Sequence, residues 1–190
     1  MSRSRRIEGF AIVSEDGMLA DAAGVMPDAL KFEADQCFFE RGLDRVDVVV
    51  HGRHSHEQQP HSHLRQRLIV TGQVPALVAD PSNAKALFWN PAGASLEQAL
   101  AALGRPDARI GVIGGTRVFA LFLDLYDVFF LTRAPGVRLP GGRPVFPDVP
   151  ARSPEAVLAR HGLVRGRTRE LDHGKRLVLE SWRRRPAGRG

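Results

Sequence analysis

The chain lacks the residues that several common chemistries require. Its single cysteine, Cys37, excludes an intrachain disulfide and any multi-cysteine zinc site. There is no G-x-S-x-G for a serine hydrolase, no P-C-x-x-C for a zinc deaminase and no H-E-x-x-H for a metalloprotease. The glycine fingerprint G-x-G-x-x-G of the Rossmann fold is missing as well. No apolar run approaches the ~18 residues of a membrane helix. Only five apolar residues stand between Arg6 and Glu15, too few for a secretory leader. The expected setting is therefore cytoplasmic, with no membrane partner. Five histidines fall between His51 and His63, but only Glu57 lies among them as a carboxylate and the spacing matches no familiar ligand set, so no metal is expected.

What is present is a chain of 190 residues, 43% hydrophobic and 25% charged, enough for one domain with a sizeable core. The net charge of +6 is concentrated at the ends, at Arg3, Arg5 and Arg6 and at Arg183, Arg184, Arg185 and Arg189. Without those seven, basic residues are balanced by the 21 acidic ones. Residues 7–183 are expected to form one domain between basic flexible tails, 1–6 and 184–190. Nucleic-acid binding by the tails is the weaker alternative, and it would be steeply salt-dependent.

Apolar patterning predicts strands at "IEGFAIV", "VDVVVH" (46–51), "RLIVT" (67–71), "KALFW" (85–89), "IGVI" and "YDVFFLT" (126–132). Helices are expected from about Lys31 to Arg41, after "GRHSHE", from Leu96 to Leu103 behind a Ser95–Gln98 capping box, and after Gly114-Gly115. The Pro/Gly-rich stretch from Ala134 to Pro154 should wrap the surface. "LVRGRTREL" and "KRLVLESW" should pair around "DHG". Strands alternating with helices, ending in a hairpin, predict a three-layer α/β fold whose central sheet is mostly parallel, with an antiparallel C-terminal edge hairpin.

Such sheets bind ligands beyond the carboxyl ends of their strands. Four candidate segments fall there: the loop after "FAIV", "HGRHS", "TGQ" and Gly114-Gly115. Gly52, Arg53, His54 and Ser55 form one strand-to-helix turn, and Gly114, Gly115, Thr116 and Arg117 form another. Two such turns could grip one pyrophosphate through free backbone N–H groups. On a helix, Phe32, Asp35, Phe39 and Leu43 share a face. A carboxyl among phenyl rings is raised toward neutral pH by desolvation and becomes able to deliver a proton.

Taken in order, these segments resemble the dihydrofolate reductase family from about Phe10 to Trp182. "IGGTRVFALFL" is similar to its I-G-G-x-x-x-[YF] motif, "VVVHGRHSHE" to its strand–G-R-x-[TS] segment, "EADQCFF" to its acidic helix, and "FFLT" to the strand that ends in a threonine behind the acid. The resemblance implies NADPH as cofactor and a small-molecule heterocycle as substrate, in a monomer or homodimer. It implies that Asp35 and Thr132 are catalytic. Phe10, Ala11, Ile12 and Phe39 would contact the substrate, and Arg65 would hold an anionic tail. Leu19, Gly52, Arg53, His54, Ser55, Thr71, Ile113, Gly114, Gly115, Thr116, Arg117, Val118 and Phe119 would line the cofactor, with Gln73 near its 2′-phosphate. The two glycines would share a cis peptide. The family's tryptophan after Met26-Pro27 is replaced by Asp28. "SEDGMLAD" resembles the opening of the riboflavin-pathway reductase domain, a relative on the same fold that reduces a ribosylaminopyrimidine. A non-catalytic nucleotide-binding member of the fold is the third reading.

Overall fold

The computed structural model describes residues 5–55 and 60–185. In chain order the first elements are β1 (Arg6–Val13), β2 (Met18–Ala20), α1 (Glu33–Leu43), β3 (Val48–Gly52), β4 (Gln66–Val70), β5 (Leu77–Ala79) and β6 (Ala86–Trp89). They are followed by α2 (Leu96–Ala102), β7 (Arg109–Val112), α3 (Thr116–Leu121), β8 (Val128–Arg133), β9 (Arg143–Pro144), α4 (Pro154–Arg160), β10 (Leu163–Asp172) and β11 (Leu177–Arg184). Among the described residues, nine strands form one sheet in the order β10-β11-β8-β1-β7-β3-β4-β6-β5. The six from β8 to β6 are parallel, and β11 and β10 turn antiparallel beside β8. The expected architecture is therefore present.

The differences from the sequence reading have local causes. β5 pairs antiparallel with β6 at the opposite edge; its three residues are too few to show a period. β2 and β9 form a separate ribbon, which pins the loop after β1 to the Pro/Gly-rich stretch. That stretch ends in α4, an unanticipated helix with Ser153 accepting from the Ala156 N–H at 3.1 Å and proline at its first position, a start signal that was there to be read. α1 starts two residues later than expected, because Phe32 occupies the N-cap in extended backbone. The Ser95–Gln98 capping box is formed. After Gly52 the chain makes a turn at Arg53 and His54; residues 56–59, into which the expected short helix would open, lie outside the described residues, His56 and Glu57 among them. Most of both basic tails also lies outside. Arg184, assigned to the second tail, lies in β11, where its guanidinium donates to the carbonyls of Tyr126, His161 and Leu123 at 2.9–3.0 Å.

The two faces of the sheet are unequal. Ile7, Val48, Val50, Leu68, Ile110, Val112, Phe129 and Leu131 point to one side, where α2, α3 and α4 complete the main core. The other side carries α1 over Phe10 and Phe130, together with buried polar groups from Glu8, His51, Arg67, Thr132 and Ser181. α1 sits close because Gly42 has no side chain: a Cβ there would fall 2.5 Å from the Phe10 ring. Polar groups persist in a sheet interior when they are bonded or when they serve a site.

Candidate active site

The site begins with β3 and β7, parallel neighbours whose carboxyl ends both run into glycine. The Gly52 N–H donates to the Gly114 carbonyl at 2.8 Å, so the two glycine turns are one joined structure. A Cβ on Gly52 would lie 3.8 Å from the Gly115 nitrogen. The Gly114–Gly115 peptide is cis. Gly114 has φ +102°, and a Cβ there would fall 2.7 Å from the Phe119 ring. Gly115 is different: an added Cβ would meet nothing within 4 Å. The backbone at Gly115 is thus bare on its outer side, and no side chain caps the start of α3.

The flank of this cradle is basic. Arg53 donates to the Gln73 side-chain oxygen, and its other nitrogen lies 3.4 Å from His54 Nε2. Gln73 is in turn held by its N–H to the Thr71 hydroxyl at 3.2 Å. The loops after β3 and β4 therefore bring Arg53, His54, Thr71 and Gln73 together, with Ser55 bonded back to Gly52 at 3.0 Å. Arg117 is exposed in the first turn of α3.

Further along the sheet, α1 carries Asp35 half-buried toward β8, where the Thr132 side chain hydrogen-bonds it. Burial pushes the Asp35 carboxyl up from 3.8 to about 6, against the opposing pull of the Thr132 hydrogen bond. Phe10, 5% exposed, lies beneath: its ring is 6.0 Å from Phe39 and 6.3 Å from Phe38, and it stacks on Phe130 at 5.2 Å. Phe38 and Phe130 were not singled out from the sequence, although "CFF" places a second ring three residues after Asp35. Ala11 is the one partly exposed residue in the second half of β1, between buried Phe10 and Ile12. Leu19 is partly buried in β2 and packs against the main core.

Several residues expected to touch a ligand have other work. Val118 and Phe119 are 5% and 1% exposed; their side chains are core supports beneath the glycines. The Thr116 hydroxyl donates to the Pro144 carbonyl. Ile113 is half-buried against Leu43, Val46 and Val49. Arg65, expected on an anionic tail, is 5% exposed and gives its Nε to the Leu43 carbonyl at 3.2 Å and an Nη to Asp44 at 2.7 Å and the Pro60 carbonyl at 3.0 Å. It fastens the C-terminal end of α1, whose carbonyls lack intrahelical donors.

The raised carboxyl has a consequence for stability. A folded-state pKa above the unfolded value means the native state holds the extra proton between about pH 4 and 6, so folding stability falls as pH rises through that window and the full cost is present above it. Asp35→Asn is expected to raise stability at neutral pH by at most about 3 kcal/mol, with the gain gone below about pH 4. Thermal melts of both proteins across that range check this; parallel curves would show Asp35 titrating normally.

No family model and no curated protein matches the chain. Solved structures do. It is similar to a riboflavin biosynthesis protein from Shewanella sp. PV-4, at 22% identity and TM-score 0.67, over 95% of this chain and 99% of that one. It is similar to dihydrofolate reductase from Enterococcus faecalis complexed with NADP(H) and RAB-propyl, at 17% identity and TM-score 0.63, over 95% and 97%. It also matches a diaminohydroxyphosphoribosylaminopyrimidine deaminase/reductase from Thermotoga maritima, at 16% identity and TM-score 0.60, over 95% of this chain and 57% of that one. The chain has the dihydrofolate reductase-like fold. No helix among the described residues is long and apolar enough to cross a membrane.

Proposed function

We propose that the chain is an NADPH-dependent reductase that passes a hydride to a C=N-containing heterocycle, dihydrofolate or a related pterin. The observation that carries this reading is the joined glycine turn, Gly52 N–H to Gly114 carbonyl, with open space outside Gly115 and, on α1, a carboxyl raised by burial to about 6. The cradle fits a dinucleotide: bare backbone admits a pyrophosphate, and Arg53 and Gln73 offer donors to a 2′-phosphate. The Enterococcus relative, solved with NADP(H), supports the same cofactor here. NADPH supplies the hydride when bound. Asp35, through its raised pKa, supplies the matching proton directly or through a water, and Thr132 orients its carboxyl. Phe39, backed by the buried Phe10 ring 6.0 Å away, offers an aromatic wall for a flat ring.

A second reading, reduction of a ribosylaminopyrimidine, is favoured by Arg65. Its guanidinium bonds with the end of α1 remove the expected clamp for a folate tail. The "SEDG" turn is also built: Ser14 bonds Asp16 at 2.5 Å, and Asp16 accepts the Leu139 N–H at 3.0 Å. NADPH oxidation, followed by loss of the reduced nicotinamide's near-ultraviolet absorbance, with dihydrofolate and separately with the phosphorylated aminopyrimidine distinguishes the two. Turnover of either is the expected result. NADPH binding without turnover of either would leave a nucleotide-binding member of the fold, and failure to bind NADPH would refute both reductase readings.

A further inference from the structure

A groove of about 380 Å³ lies on the far flank of α1, over β8, β11 and β10. Its floor is apolar, from Phe38, Phe130 and Leu179, and Arg167, Arg169 and Arg183 stand around it with Ser181 at their centre. No carboxylate lines it, and among the described residues none of these three guanidinium groups is ion-paired. Their arrangement depends on a defect in the hairpin. The sequence R-G-R-T-R at 165–169 would set all three arginines of that run on one face of a regular strand. The register shifts between Arg165 and Thr168, so that Gly166 and Arg167 together oppose Ser181. Ser181, 3% exposed, pins the bulge: its hydroxyl accepts the Arg167 N–H at 2.9 Å and donates to the Arg167 carbonyl at 3.1 Å. Arg165 is thereby turned to the opposite face, where it pairs with Glu180. Arg167 and Arg169 remain on the groove side with Arg183. Bulges re-aim side chains, and they recur beside sites.

Unneutralised arginines held together repel one another, and a dianion relieves that repulsion through paired N–H donors. An apolar aromatic floor beside them adds affinity for a ring. The volume falls within the range of small-molecule sites. We propose that this groove is a second ligand site, separate from the glycine cradle, for a small aromatic phosphate monoester of about mononucleotide size. The phosphate lies between Arg167, Arg169 and Arg183, and the ring rests over Phe38 and Leu179.

Calorimetric titration with naphthyl phosphate, on protein saturated with NADPH so that the cradle is closed to it, tests the proposal. The expected result is saturable binding in the submillimolar range, weakened at least about tenfold in the exposed double variant R167E/R169E. Inorganic phosphate should bind at least about tenfold more weakly than the naphthyl ester. NADPH affinity should be the same in both proteins, which separates this site from the cofactor reading and shows that the variant is folded. No binding to the wild type, undiminished binding to the variant, or equal affinity for inorganic phosphate would each overturn the proposal. Tighter capture of an oligoglutamate peptide than of naphthyl phosphate would also overturn it, assigning the groove to an acidic protein segment.

Discussion

Asp35→Asn is expected to slow reduction of the heterocycle by about 10²–10⁴-fold while NADPH affinity changes little. The asparagine keeps the shape and can still accept from the Thr132 hydroxyl, but it has no proton to give. The pH profile carries the stronger test. With a carboxyl near 6 as the acid, the rate of the hydride-transfer step should be flat below that pH and fall about tenfold per unit above it. The asparagine variant should lose that limb. Thr132→Val removes a bond that favours the ionised form, so the limb should move to higher pH. An equal loss of NADPH affinity and rate in Asp35→Asn would make the residue structural.

Gly115→Val is expected to lower NADPH affinity by about 10²-fold, near 3 kcal/mol, with thermal stability almost unchanged. The prediction rests on space. Gly115 has φ −79°, which any L residue adopts, and apart from its chain neighbours no atom lies within 4 Å of a Cβ there. The Cβ of a larger residue therefore has room in the fold, and the two methyl groups beyond it are expected to reach into the volume assigned to the pyrophosphate. Gly114→Ala makes the contrast. Its φ of +102° disfavours a side chain, and Phe119 stands 2.7 Å from the Cβ position, so stability itself should fall by about 1–3 kcal/mol. Melting curves and NADPH titrations of both variants separate the two kinds of loss. A destabilised Gly115→Val, or one that binds NADPH normally, would remove the cradle from the account.

The large elements were legible because each repeats its signal over several residues. β1, β3, β4, β7 and β8 are buried apolar runs, and the position of Asp35 on α1 followed from helical spacing. Two kinds of feature were not legible. Pairings of two or three residues, as in β2, β5 and β9, carry no period and depend on what lies beside them in space. Partner choice is likewise a tertiary fact. "HLRQRLIV" shows an arginine before a strand, and nothing in those letters reveals that Arg65 would fasten the end of α1. The same holds for Phe119, whose motif position suggests a ligand contact and whose side chain packs against Phe129 and Phe146. The bulge at Arg165–Thr168 has a weak signal in Gly166, since glycine inside a strand often marks one.

The most direct measurement of the central claim is a crystal structure of the protein with NADPH. The pyrophosphate is expected against the backbone of Gly52, Gly114 and Gly115, the 2′-phosphate beside Arg53 and Gln73, and the nicotinamide at the carboxyl end of β1 on the Asp35 side. Cofactor bound elsewhere, or a nicotinamide separated from Asp35 by the thickness of the sheet, would contradict it.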